Sequence, residues 1–218
     1  MIREESIKNV NDVFASMTHL LDQQFDMLET LMVDVWDASI WDCMHENEKL
    51  LDRMEICART TVVNEMLRLT PRACDLRRII AMLNMVIDLE RMGDLLYSSG
   101  KRLDVVMRSN NVWNQYRMQT YQLFSGVKNM YMNCVFAFNN ENLGAAQNTI
   151  SQDDEVDACY HNTHRLLFES DVCAADMPAY LALSRLLYLF ERIGDSCTNI
   201  AEDTVYLING VNMKHQNK

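Results

Sequence analysis

One short segment occurs twice in this chain, at positions 101 residues apart. The residues E-R-M-G-D occupy positions 90–94, and E-R-I-G-D occupies positions 191–195. A segment that recurs at a fixed distance indicates two related halves, each of which is one structural unit. The chain has 218 residues, which is enough for two units of about 100 residues each. The repeat therefore limits the fold to those that can be built from two similar halves.

The composition favours long helices within each half. Gly and Pro, which interrupt secondary structure, number only 6 and 2. Apolar residues recur at three- and four-residue spacing, which is the helical period, and no useful run alternates with period two. We predict six helices. They cover about 4–35, 41–68 and 71–107, a fourth stretch between the linker 109–111 and the turn 139–142, about 143–169, and a sixth stretch from 175–178 to 209–210.

Short turns between helices place consecutive helices antiparallel to each other. We therefore predict an all-α fold of two tandem antiparallel three-helix bundles. The first repeat, lobe one, covers residues 1–108, and the second, lobe two, covers residues 112–210. The linker 109–111 between them is short and polar, so we expect the two lobes to touch.

Acidic pairs at helical spacing are the main candidates for function. Each repeated motif holds a Glu and an Asp four residues apart, and the second predicted helix of each lobe carries an acidic pair at the same spacing. One helical turn is 3.6 residues, so both carboxylates of a pair project from nearly the same side. Antiparallel neighbours could bring the two pairs of a lobe together. The candidates are Glu48, Asp52, Glu90 and Asp94 in lobe one and Asp153, Asp157, Glu191 and Asp195 in lobe two.

Four carboxylates in one place predict a metal site. Like charges raise one another's pKa values, so such a group cannot stay ionised unaided. A bound cation removes the conflict, and hard oxygen ligands suit iron, manganese, magnesium and calcium. The alternative is a solvated helix face whose acids pair with Lys and Arg, which is the usual role of a single such pair.

The other notable residues of the motifs favour structural interpretations. Arg91 and Arg192 point about 100° away from the adjacent Glu, and we interpret them as ion-pair partners within the bundles. Gly93 and Gly194 each cost about 1 kcal/mol relative to Ala inside a helix, which indicates close approach of a neighbouring helix. We interpret His161 and His164 as a surface pair and assign no role to His45.

Charge and cysteine content limit the classes of function. Lys and Arg number 20 against 31 Asp and Glu, a net charge of −11, so we predict no nucleic-acid binding. The seven Cys contain no C-x-x-C pair and predict neither a zinc knuckle nor a disulfide framework. No signal core and no apolar run of about 20 residues is present. We predict a cytoplasmic protein without a transmembrane segment.

The motifs resemble those of the PhoU family of phosphate-uptake regulators. The resemblance rests on residues 88–94 and 191–202 and on the 153–157 pair, and it covers nearly the whole chain. It implies a three-helix bundle in each lobe, with the acidic pairs holding metal clusters. Iron is the first expectation, with zinc, manganese, magnesium and calcium left open. The extended second motif adds Asn199 and Glu202 as candidate ligands. Ser98 and Lys101 stand at the matching positions of lobe one, so we expect lobe two to be the better metal site.

The resemblance also implies a function. It predicts a regulator, not an enzyme, that connects a phosphate transporter ATPase or carrier to a sensor histidine kinase and restrains uptake when phosphate is plentiful. A homodimer is one assembly that the resemblance allows. An alternative is an accessory protein of a sodium–phosphate or low-affinity phosphate carrier. A carboxylate-bridged di-iron enzyme ranks lower, because the Glu-x-x-His pairs of that class do not occur in the sequence.

Overall fold

Six α-helices account for most of the chain. The computed structural model describes the backbone of residues 2–33, 37–68, 73–171 and 173–210, and the side chains of residues 11–33, 37–64, 77–171 and 173–210. The all-α prediction is confirmed, and no strand occurs within these ranges. The helices are α1 (Ile2–Val33), α2 (Ala38–Arg68), α3 (Ala73–Met107), α4 (Asn110–Asn139), α5 (Leu143–Phe168) and α6 (Met177–Asn209).

Capping residues decide where several helices begin and end. α2 begins at Ala38, three residues earlier than predicted, since the Ser39 N–H donates to Asp37 Oδ1 at 2.8 Å. α4 begins at Asn110, inside the predicted linker and before residue 112, because Ser109 acts as its N-cap. α6 ends as predicted, with Gly210 in the left-handed region at φ 71°. The predicted end of the first helix at 35 and the predicted start of the third at 71 lie outside the described residues.

The third helices of the two lobes hold the molecule together. α1, α2 and α3 pack against one another, as do α4, α5 and α6, and the contact between α3 and α6 is the most extensive of all. Asn84 on α3 donates its amide to Asp203 on α6, and Asn199 donates to Asp88, both at 3.4 Å. Residue numbers increase along α3 from 84 to 88, while those of the contacting residues on α6 decrease from 203 to 199. The two helices therefore run antiparallel.

One hydrophobic core runs through both lobes. α1 also packs on α4 across the boundary. The ring centroids of Phe14 and Phe138 are 4.2 Å apart, and those of Phe25 and Tyr131 are 4.7 Å apart. The Tyr131 hydroxyl donates to the Thr18 carbonyl at 2.8 Å. The lobes therefore do more than touch, because they share a continuous interior.

None of the described helices combines the length and the apolar character that crossing a bilayer requires.

Candidate metal centre

A close helix contact positions the acids of lobe one. α2 passes so near α3 that a Cβ added to Gly93 would collide with the Leu51 side chain. At the matching position of lobe two the contact is looser, because a Cβ on Gly194 would stand 3.4 Å from Val156 Cγ1. Both glycines face a neighbouring helix, which confirms the packing interpretation. The tight contact in lobe one occurs directly beside Asp52 and Asp94, and it brings two acidic helix faces together.

Three of the four acids predicted for lobe one converge. Glu48, Asp52 and Asp94 each offer a carboxylate oxygen, and the three oxygens lie within 4.8 Å of one another. Oxygen ligands stand about 2.3–2.6 Å from Ca²⁺ and about 2.0–2.1 Å from Mg²⁺, so ligands on opposite sides of one cation are about 4–5 Å apart. The donor set and its spacing fit a single hard cation held between α2 and α3.

Burial and mutual repulsion together raise the pKa values of three lobe-one acids. Burial, followed by the charges of Asp52 and Asp94, raises the pKa of Glu48. Burial and then Asp52 raise the pKa of Asp94. Burial, with Asp94, Glu55 and Asp52, raises the pKa of Glu90 to about 7. Glu90 is therefore electrostatically part of the same group, and a cation there would relieve the repulsion.

His45 and Glu55 are neighbours of this site that no sequence motif indicated. His45 Nδ1 is shielded from water, has no hydrogen-bond partner and lies 3.7 Å from Glu48 Oε2. The available signal was the three-residue spacing of His45 and Glu48, which places them on one helix face. The His45 ring stacks on Tyr97 with centroids 5.1 Å apart, and Lys101 Nζ lies 4.1 Å from the centre of the same ring. Lys101 partly offsets the raised pKa values of Glu48 and Asp94.

The four lobe-two acids also interact, but less compactly. Burial and then Asp195, with smaller contributions from Asp157 and Asp153, raise the pKa of Glu191 to about 7. Burial is the main cause that raises the pKa of Asp153 to about 6, and Asp157 and Asp195 add to it. Glu191 Oε2 is shielded from solvent and has no hydrogen-bond partner. A shielded acceptor without a donor is a position that a cation would satisfy.

The arginine of the repeated motif has a different partner in each lobe. Arg192 donates to Asp195 Oδ2 at 2.8 Å, and Arg91 pairs with Asp88 at 3.2 Å, outside the lobe-one trio. Both contacts confirm the ion-pair interpretation. Among the described acids of lobe two, no three approach one another as closely as Glu48, Asp52 and Asp94 do. The geometry thus favours lobe one, although the motif favoured lobe two, because a motif records order along a helix and not side-chain conformation.

The remaining candidates lie away from the lobe-one trio. Asn199 donates to Asp88 of the other lobe, so its amide serves the contact between lobes. Glu202 is half-buried on α6, seven residues beyond Asp195. Ligand roles for both stay predictions. His161 is exposed, and His164 Nε2 lies 3.1 Å from Ser184 Oγ, an arrangement in line with a structural pair near the surface.

Comparison with known proteins agrees with the duplicated architecture. The family model of the PhoU domain matches residues 8–103 and 120–204. The phosphate-specific transport system accessory protein PhoU homolog of Clostridium acetobutylicum is 26% identical over 227 residues, which cover 96% of this chain and 95% of that protein. The Pseudomonas aeruginosa protein of the same name is also 26% identical, over 96% of this chain and 86% of its own length.

Two crystal structures have the same fold. PhoU from Pseudomonas aeruginosa superimposes with a TM-score of 0.83 at 25% identity, over 95% of this chain and 99% of that one. The phosphate transport system regulatory protein PhoU from Streptococcus pneumoniae gives a TM-score of 0.83 at 19% identity, over 96% and 98% of the two chains. The family model matches both repeats, over more than half of the chain, so the chain belongs to the PhoU domain family.

Proposed function

We propose that this protein is a cytoplasmic regulator of phosphate uptake and phosphate-starvation signalling. It acts as an adaptor between a phosphate transporter, through its ATPase, and a sensor kinase, and it restrains uptake when phosphate is plentiful. The observation that carries the proposal is the near full-length similarity to proteins named as accessory to the phosphate-specific transport system. An accessory role requires binding rather than catalysis, so the proposal is of a regulator and not of an enzyme.

In this proposal the regulator binds divalent or trivalent metal ions at its carboxylate clusters. Glu48, Asp52 and Asp94 are the ligands of the first site, with Glu90 beside them. The shielded oxygen of Glu191 supports a second site in lobe two. Iron is the first candidate, and zinc, manganese, magnesium and calcium are the alternatives. A bound cation neutralises the clustered charge and stabilises the two acidic helix faces against each other.

Phosphate uptake in cells tests the regulatory proposal. Deletion of the gene should raise phosphate uptake and expression of starvation-induced genes in medium with ample phosphate, and the intact gene should restore repression. The protein should co-purify with the transporter ATPase or with the sensor kinase under the same conditions. Unchanged uptake in the deletion strain, together with co-purification only with a sodium–phosphate carrier, would instead support the accessory-carrier alternative.

Elemental analysis and thermal unfolding test the metal proposal. A ligand at 100 times its Kd stabilises a fold by about 2.7 kcal/mol, which is about 5–10 °C in Tm for a chain of this length. Asp94→Asn should remove most of the lobe-one metal and of the metal-dependent rise in Tm. Asp195→Asn should have a smaller effect, because Asp195 is engaged by Arg192. Asp12→Asn, at an exposed position on α1, is the control. Equal metal content in all three variants would mean that the acids form a solvated face.

A further inference from the structure

The outward face of α4 carries an uncharged strip of side chains. Its members are exposed or half-buried and recur at alternating intervals of four and three residues: Met118, Gln122, Ser125, Asn129, Met132 and Phe136. Met118 is 72% exposed, Phe136 is 52% exposed and Met132 is 48% exposed. We name these six residues the α4 strip. Alternation of four and three is the spacing that keeps residues on the contact line between two paired helices, yet no described helix of this chain covers the strip.

α4 differs in charge from the rest of the molecule. It contains no Asp or Glu, whereas each of the other five helices contains four or more. α1, which occupies the same place in lobe one, exposes Asp12, Asp22 and Asp26, as a solvated helix face usually does. The fold therefore does not require an uncharged outer face at this position. In a chain of net charge −11, α4 is the helix that a second acidic molecule can approach with least repulsion.

The α4 strip is symmetric about the level of Val127. Met118 and Phe136 lie nine residues to either side of that level, and Ser125 and Asn129 lie two residues to either side. Large apolar side chains therefore stand near both ends, with polar ones at the centre. A second copy in antiparallel orientation would set Met118 against the partner's Phe136, a thioether–aromatic contact. The contact would form twice, because a two-fold axis repeats every contact of an interface.

We propose that the α4 strip is the contact surface of a homodimer in which two copies pair antiparallel along α4. The spacing favours a helix as the occupant, and the symmetry favours a helix of the same sequence. From Met118 to Phe136 the contact is about 27 Å long at 1.5 Å per residue. A membrane fits less well, since hydrocarbon would leave the polar groups of Gln122, Ser125 and Asn129 unpaired. This contact goes beyond the proposed regulatory function and does not depend on it.

The helices on either side of α4 influence how tightly two copies associate. On the α1 side, Lys128 binds both Asp26 and Glu29, which offsets the charge of these acids. On the α5 side, Glu155 lines the groove next to Gly126, close to the level of the two-fold axis. This axis sets the α5 side of one copy against the α5 side of the other. The two copies of Glu155 therefore face each other, and their repulsion weakens the dimer.

Sedimentation equilibrium of the purified protein measures the Kd of the dimer, without a chelator, so that any bound metal stays in place. We expect a monomer–dimer equilibrium, and Met118→Ala with Phe136→Ala should raise its Kd at least tenfold. Ile56→Ala with Val63→Ala is the matched control, because these side chains are 63% and 55% exposed on α2, and it should leave the Kd unchanged. All four side chains are exposed, so both double variants should keep the circular dichroism spectrum and the Tm of the parent.

Opposite charges test the antiparallel arrangement. Met118→Lys alone and Phe136→Glu alone should each raise the Kd at least tenfold. Combined in one chain, the two substitutions place a cation opposite an anion at both ends of the interface, and most of the lost affinity should return. In a parallel arrangement these charges would not meet. Glu155→Gln should lower the Kd, because it removes the repulsion between the two copies of that side chain.

Several results would overturn the dimer. They are a parent that stays monomeric, a Kd that Met118→Ala with Phe136→Ala leaves unchanged, a combined charge variant that recovers no affinity, and a Glu155→Gln variant that associates no more tightly than the parent. A monomer whose binding to phosphatidylglycerol vesicles is lost on Met118→Ala with Phe136→Ala would assign the strip to a membrane. A monomer that instead loses co-purification with the ATPase or the kinase would assign it to that partner. In both cases the regulatory function stands and the dimer does not.

Discussion

Replacing Gly93 by Ala tests whether close approach of α2 to α3 builds the lobe-one site. The substitution should gain about 1 kcal/mol from helix propensity. The new Cβ meets Leu51, which is almost completely buried, and overpacking a core costs about 1–3 kcal/mol. We therefore expect Gly93→Ala to lower the free energy of unfolding by up to about 2 kcal/mol.

Gly194→Ala is the matched control in lobe two. It has the same gain in propensity, but its Cβ would stand at an ordinary 3.4 Å from Val156, so we expect stabilisation by about 0.5–1 kcal/mol. The propensity contribution cancels between the two variants, and their difference measures the overpacking at Leu51. In a Leu51→Ala background Gly93→Ala should become stabilising, because the colliding methyl group is absent.

Urea unfolding followed by far-ultraviolet circular dichroism gives these free energies. Gly93→Ala should also reduce the metal-dependent rise in Tm, since it pushes Glu48 and Asp52 on α2 away from Asp94 on α3. Gly194→Ala should leave that rise intact. Equal effects of the two substitutions on stability, or an unchanged metal response in Gly93→Ala, would refute the idea that this contact assembles the site.

Two further predictions concern titration and the contact between lobes. The folded-state pKa of Glu90 is about 7, above its unfolded value of about 4.3, so metal-free protein should lose stability as pH rises from about 4.5 to about 7. Glu90→Gln should flatten this loss and raise Tm relative to the parent at pH 8 but not at pH 4, and parallel melting profiles would contradict it. Tyr131→Phe removes the hydroxyl that donates to the buried Thr18 carbonyl and should cost about 0.5–1.5 kcal/mol. Tyr121→Phe, which loses an exposed contact to Glu29, should cost less in the same denaturation assay.

Much of this architecture was readable from local patterns. Helical spacing and scarce Gly and Pro predicted six helices, because both features act through contacts within a few residues. Helix starts were less accurate at Ala38 and Asn110, where one capping side chain extends the helix by a turn or less. The glycines of the motif also predicted close helix contacts, because a Gly inside a helix lowers its stability and favourable packing must compensate for that loss.

Distances across helices could not be read in this way. Spacing of four residues put each acidic pair on one face, yet it said nothing about which pairs meet or in which conformation. Arg192 is adjacent to Glu191 in sequence but forms its ion pair with Asp195. His45 lies beside Glu48 in the lobe-one site, although no motif includes it. The preference for lobe two therefore rested on motif completeness, whereas the compact trio formed in lobe one.

The sequence by itself determined the helices, the duplication and the acidic faces, because these depend on short-range periodicity and on a repeat of about 100 residues. Only the tertiary structure decided how the halves join. α3 packs antiparallel against α6, and the Asn199 amide donates to Asp88 between them. The Tyr131 hydroxyl of lobe two donates to the Thr18 carbonyl of lobe one. These contacts link residues more than 100 positions apart, and their geometry depends on the packing of whole helices rather than on any local pattern.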